Sequence, residues 1–322
     1  MDESLDRPLP PLVPASGPAA AEVAPRDRVW FHVLLFGLTV VTTTLVGALH
    51  YHGWRVGFNA PALVQPDFGD PWFYFTGLWY SGTVLGILGA HEMGHYIACR
   101  YYRVDASLPY FLPAPLPLTG TLGAFIRIRQ RMPSKVALFD IGIAGPIAGF
   151  LVAVPTLIVG LAMSVTERLP QDFQGFELGE PLLFRAVSWL MWGNLPDDIS
   201  INMHPMAFAS WFGLLATALN LFPIGQLDGG HIAYAVLGRR SSWITVLMVC
   251  AAVGLTLFST SWLVWTILMV VMLVAMGPHH PVTLNDDITL DPTRIALAIV
   301  ALVMLIVCFT PAPIEPFVSL GD

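Results

Sequence analysis

Apolar and polar positions along the chain fall into long blocks. Stretches at 29–50, 73–101, 135–164, 205–222, 242–258, 261–276 and 293–310 are almost continuously apolar. Each approaches the roughly 20 residues that carry a helix across a hydrocarbon core of about 30 Å. The pattern predicts about seven transmembrane helices, with Ser259, Thr260 and Ser261 as the only break between the fifth and sixth. Between the second and third blocks, SLPYFLPAPLPLTGTLGAFIRIRQRMP is too rich in proline for a continuous helix. From Ala124 to Arg131 it alternates, with Phe125, Arg127, Arg129 and Arg131 on one face and Ile126 and Ile128 on the other, which reads as a strand. The predicted class is an all-α polytopic membrane protein with a small membrane-associated β-hairpin.

Composition agrees. Of 322 residues, 55% are hydrophobic and 11% charged, outside the usual soluble range. Residues 1–28 are rich in Pro and Ala, carry acids early and lack the pattern of a secretory signal, and are expected to be a disordered tail. Cys99, Cys250 and Cys308 lie in or beside the apolar blocks, far from any C-x-x-C spacing, and are expected to be free thiols.

Charge orients the chain. With the amino terminus inside, 12 of the 15 basic residues face the cytoplasm, leaving Arg55, Arg168 and Arg185 outside. The outer segments at 55–72 and 165–204 are acidic, and the net charge of −7 offers nothing to nucleic acid. The expected location is a bacterial cytoplasmic (inner) membrane, with the lipid bilayer as the surrounding partner and no oligomeric state implied.

Candidate chemistry sits inside the second block, where ILGAHEMGHYIACR carries His-Glu-x-x-His. On a helix, His91 and His95 share a face one turn apart and can converge on one cation, while Glu92 is available as a base. An ionisable residue at membrane depth costs about 2.5–3.5 kcal/mol on insertion scales, so these polar groups need a partner, and Zn²⁺ supplies one. A catalytic zinc usually takes three protein ligands. Only Glu92, Asp140 and Asp228 are acids within or beside the apolar blocks. Asp228 follows a stretch broken by Pro223 and Gly225, as expected where a helix opens onto a polar cavity, and is preferred to Asp140 as the third ligand.

HEMGH followed by NLFPIGQLDGGH resembles the site-2 protease family of intramembrane zinc metalloproteases. Asn220, Pro223, Leu227, Asp228 and Gly229 match the family pattern Asn-x-x-Pro-x-x-x-Leu-Asp-Gly, although Gly225 stands where many members have a second proline. TGTLGAFIRIR at 119–129 resembles the family's β-hairpin, and GIAGPIAGF at 142–150 its Gly-Pro segment. The resemblance covers roughly 73–238 and implies one Zn²⁺ per chain held by His91, His95 and Asp228. It also implies Glu92 as general base, Asn220 as oxyanion donor and a single-span membrane protein as substrate. The segment 165–204 is too short for a PDZ insertion, which points to the branch without that domain. The expected organisation is a tail (1–28), a first helix and outer loop (29–72), a catalytic core (73–238) and C-terminal helices (239–322).

Two other readings were weighed. Prenyl-peptide zinc proteases take a third ligand from a glutamate in a later helix, and the later apolar blocks here contain none. A transporter or non-proteolytic metal-binding membrane protein would explain the broken helix near Pro223, but not a glutamate between the two ligand histidines.

Overall fold

The computed structural model describes residues 27–59, 64–171, 173–260, 262–276 and 283–318; most of the expected tail lies outside them. Helix α1 (Val29–Val56) is followed by the short α2 (Pro71–Thr76), which Asp70 caps by accepting from the Trp72 N–H, and by α3 (Leu78–Tyr101). Close approach fixes α3 against α1. A Cβ at Gly77 would stand 2.0 Å from the Thr44 carbonyl oxygen, and the Thr43 and Ser81 hydroxyls hydrogen-bond at 2.7 Å.

Strands β1 (Tyr110–Pro113) and β2 (Thr121–Phe125) form the expected hairpin, in the register Tyr110↔Phe125 and Phe111↔Ala124. An isolated bridge, Ala106↔Ile128, extends the ladder beyond the named strands. The hairpin lies on α1: Gly120, at φ +69°, packs against Thr42 and Thr43, and Asp27 pairs with Arg129.

Helix α4 (Lys135–Ala162) begins at Ser134, whose hydroxyl accepts from the Ala137 N–H at 3.2 Å. Two more two-stranded sheets follow, neither of them expected from the apolar pattern. Strand β3 (Val165–Arg168) pairs with β5 (Ile199–Asn202), and β4 (Gln174–Leu178) with the distant β6 (Ile314–Val318); between them lies α5 (Leu182–Trp192). The segment 165–204 is therefore a folded cap. It is tied to the end of α1 by Asn202, which donates to the Trp54 carbonyl and to Glu167, both at 2.8 Å.

Helices α6 (Pro205–Leu221) and α7 (Asp228–Leu237) flank the break at Pro223; a 3₁₀ turn carries α7 directly into α8 (Ser241–Leu255). Helix α9 (Trp262–Met276) is separate, so 242–276 forms two helices, and α10 (Pro292–Cys308) closes the bundle. The core lies among α3, α4 and α6, around Ile87, Leu157, Leu161, Trp211 and Leu214. The chain is mostly helical, and among the described residues three helical runs are long and apolar enough to cross a membrane: Val29–Val56, Lys135–Ala162 and Asp228–Leu255. The three cysteines are free, with Cys99 and Cys308 buried.

Candidate metal centre

His91, Glu92 and His95 are all buried on α3, at 7%, 6% and 7% exposure. Space for them comes from α4. Gly142, Gly145 and Gly149 recur at helical spacing on one face; a Cβ at Gly145 would meet the His95 ring at 2.2 Å, and one at Gly149 would meet the His91 Cβ at 3.2 Å. From the other side comes Asp228. Phe222 leaves the helical conformation after α6, Gly225 takes a positive φ of +54°, and α7 restarts at Asp228. Gly229 and Gly230 make this restart possible, because a Cβ at either would lie 2.0–2.3 Å from a carbonyl oxygen of the preceding turn.

His91, His95 and Asp228 converge. The two Nε2 atoms stand 3.0 Å apart, the Asp228 carboxylate lies 3.2 Å from His91 Nε2 and 3.3 Å from His95 Nε2, and among the described residues this is the sole group of three such side chains close enough to hold a metal. Zinc–nitrogen and zinc–oxygen bonds of about 2.0–2.2 Å at tetrahedral angles put ligand atoms about 3.3–3.6 Å apart, close to the spacing found. His95 Nδ1–H donates to the Ile141 carbonyl at 2.7 Å, the backing that metal-bound imidazoles receive, and this leaves the Nε2 lone pair facing the group. The residues fit a zinc ion.

Glu92 is not one of the converging three, yet stands within Coulombic reach of His95 and Asp228, and the Ile126 backbone of the hairpin segment lies near its carboxyl group. That contact ties the hairpin to the site. The Arg127 and Arg129 N–H groups are spent inside the hairpin, on Ser107 Oγ and the Asp105 carbonyl. Asn220, at the end of α6, brings its side-chain nitrogen to 3.4 Å from His91 Nε2.

The other acid belongs elsewhere. Asp140 accepts two bonds from Arg294 of α10, at 2.8 and 2.6 Å, and another from the Tyr102 hydroxyl, a tie among α3, α4 and α10. It also immediately precedes Ile141, whose carbonyl holds His95. Neither this tie nor the Ile126–Glu92 contact carried a sequence signal, since each joins segments far apart in the chain.

The profile of peptidase family M50 matches residues 80–260, more than half of the chain. Among curated relatives, the chain is 27% identical over 315 residues to the probable zinc metalloprotease EGY2, chloroplastic, of Arabidopsis thaliana, covering 96% of this chain and 53% of that protein. The rice (Oryza sativa subsp. japonica) protein of the same name is 28% identical over 89% of this chain and 51% of its own. The Arabidopsis EGY1 protein, also a probable chloroplastic zinc metalloprotease, is 31% identical over 79% and 47%. The chain spans about half the length of these relatives. All three are chloroplastic, so they give no support to the bacterial inner membrane expected above.

Proposed function

Because the chain belongs to peptidase family M50, the site-2 protease family, we propose that it is a zinc endopeptidase cutting the transmembrane segment of a single-span membrane protein. The observation that carries this is the convergence of His91, His95 and Asp228 beside a buried Glu92 that is not one of the three. His91, His95 and Asp228 would hold one zinc per chain, which when bound would supply the Lewis acidity to activate water and polarise a peptide carbonyl. Glu92 then takes the proton of the attacking water and passes it to the leaving amine. Asn220 donates a hydrogen bond to the oxyanion, a contribution of about 2.7–4 kcal/mol where such donors have been removed from other enzymes.

Peptide presentation falls to the hairpin. A helical substrate hides its carbonyls in i to i−4 hydrogen bonds and must be unwound before attack. The edge of β2 and the residues after it that faces away from β1, with Ile126 near Glu92, supports pairing with such an extended segment. We assign the catalytic core to 73–238. We also infer seven membrane crossings, with the metal site toward the face that carries the amino terminus and most of the basic residues.

The test is cleavage of a reconstituted single-span substrate, with mass spectrometry of the products. Glu92→Gln should keep its zinc and lose turnover by about 10²–10⁴-fold, and the wild-type cut should fall within or at the edge of the apolar segment. Undiminished turnover by Glu92→Gln, or cleavage only in a soluble loop, would overturn the proposal.

A further inference from the structure

At the end of the bundle away from the metal centre, the cap overhangs a half-open cavity of about 720 Å³. Phe173, Phe176 and Phe317 are among its walls, as are the carboxylates of Glu177, Glu180 and Asp197; no Lys or Arg lines it. The β4–β6 register sets Glu177 directly opposite Glu315, which stands beside the cavity without lining it, so two carboxylates share one face of the two-stranded ladder at its wall. Like charges in that relation repel. Among the described residues no ion pair engages Glu177, Glu315 or Asp197, while Glu180 has only a loose exposed contact with Arg185 at 3.8 Å. These carboxylates do not form a metal-binding group of three, because among the described residues only His91, His95 and Asp228 do so. An ammonium or guanidinium group needs fewer ligands, would turn the Glu177–Glu315 repulsion into attraction, and is favoured over aromatic faces.

Position adds a second element. His50 and Phe208, which also line the cavity, pack on Tyr80 near the start of α3, at ring separations of 5.2 and 6.2 Å. His91 and His95 follow Tyr80 by 11 and 15 residues, about 16 and 22 Å of helix rise. A helix parallel to α3 with its flank in the cavity would therefore reach the metal centre 11–15 residues further along.

Resting on the protease function proposed above, we propose that this cavity receives the flank of the substrate's transmembrane segment as a peptide stretch bearing Lys or Arg. The cavity thereby selects substrates and sets the distance to the cut. Basic residues on the outer side of a span run against the usual charge bias, so such a cradle admits few membrane proteins.

The experiment uses the full chain in phosphatidylcholine vesicles, with substrates sharing one span but carrying Lys-rich, Ser-rich or Glu-rich flanks. The Lys-rich flank should raise kcat/KM about tenfold over the Ser-rich one, through KM, and the gain should shrink with salt. Glu177→Gln with Glu315→Gln should abolish that gain and leave cleavage of the Ser-rich substrate unchanged. Equal kcat/KM for all three flanks, or a preference that survives in the double variant, would overturn the proposal. Anisotropy of a labelled soluble Lys-rich peptide on the purified chain separates this inference from the protease function. Binding that the double variant loses would uphold the cavity even if no substrate were cut, and absence of binding would sink it. Peptide displaced by added phosphatidylcholine at constant salt would assign the cavity to a lipid headgroup and overturn it as well.

Discussion

Gly145→Ala adds one methyl group where α4 crosses the HEMGH turn. Its Cβ would stand 2.2 Å from His95 Nε2 and 2.5 Å from both Cδ2 and Cε1, whereas ordinary contact begins near 3.4 Å. The ring must therefore retreat by about 1.2 Å, more than half of a zinc–nitrogen bond of about 2.0–2.1 Å. It cannot do so freely, because Nδ1 is held by the Ile141 carbonyl at 2.7 Å and Nε2 must stay with His91 and Asp228. Folding should suffer little: overpacking costs about 1–3 kcal/mol, and replacing a helical glycine by alanine returns about 1 kcal/mol. The site should suffer far more. A displacement near 1 Å is worth about 100-fold in rate, and disturbance of a ligand's support about 10- to 100-fold in metal affinity. Zinc content, turnover and thermal unfolding should be measured on one preparation, with Gly82→Ala as control, since nothing lies within 4 Å of a Cβ there. A Gly145→Ala protein with wild-type zinc content and turnover would refute the reasoning.

Asp228→Ala should abolish tight zinc binding, while Asp140→Ala should retain it; metal analysis of the two variants checks this, and the reverse result would reassign the third ligand. Arg294→Met should destabilise the fold by about 1–3 kcal/mol, because it strands the partly buried Asp140 carboxylate. Adding Asp140→Asn to that variant should recover part of the loss in thermal unfolding, and full additivity of the two changes would argue that the pair is not coupled.

The parts legible in the sequence are those where chemistry repeats over a short span. His91 and His95 are one turn apart on an apolar helix, so their pairing follows from helical period alone. Asp228 was legible because the proline and glycines around it break an apolar run at a depth where a break needs a purpose. The cap was not legible: β3 and β4 are strands of four and five residues without a regular inside-outside alternation, and β6, the partner of β4, lies about 140 residues away. The hairpin was found, but its second strand is Thr121–Phe125, shaped by Gly120 and Gly123 at φ +69° and +102°; of the alternating stretch expected as a strand over 124–131 only Ala124 and Phe125 lie in it, and beyond them a single bridge at Ile128 continues the pairing.

The same contrast separates the ligands from what makes them work. The types and spacing of the candidate ligands are local, whereas the backing of His95 by Ile141, the gap left by Gly145 and the approach of the Ile126 backbone to Glu92 each depend on a second segment packing in one register. Asp140 shows the consequence. By composition it was the alternative ligand, and it is excluded by Arg294, 154 residues along the chain, which claims both of its carboxylate oxygens. In a membrane an unpaired acid is costly, so a carboxylate outside the catalytic role proposed for Glu92 is expected to meet a cation or a metal. With Arg294 committed to Asp140, the carboxylate that stands within 3.3 Å of both histidine Nε2 atoms is that of Asp228, brought there by the restart of the helix after the break at Pro223.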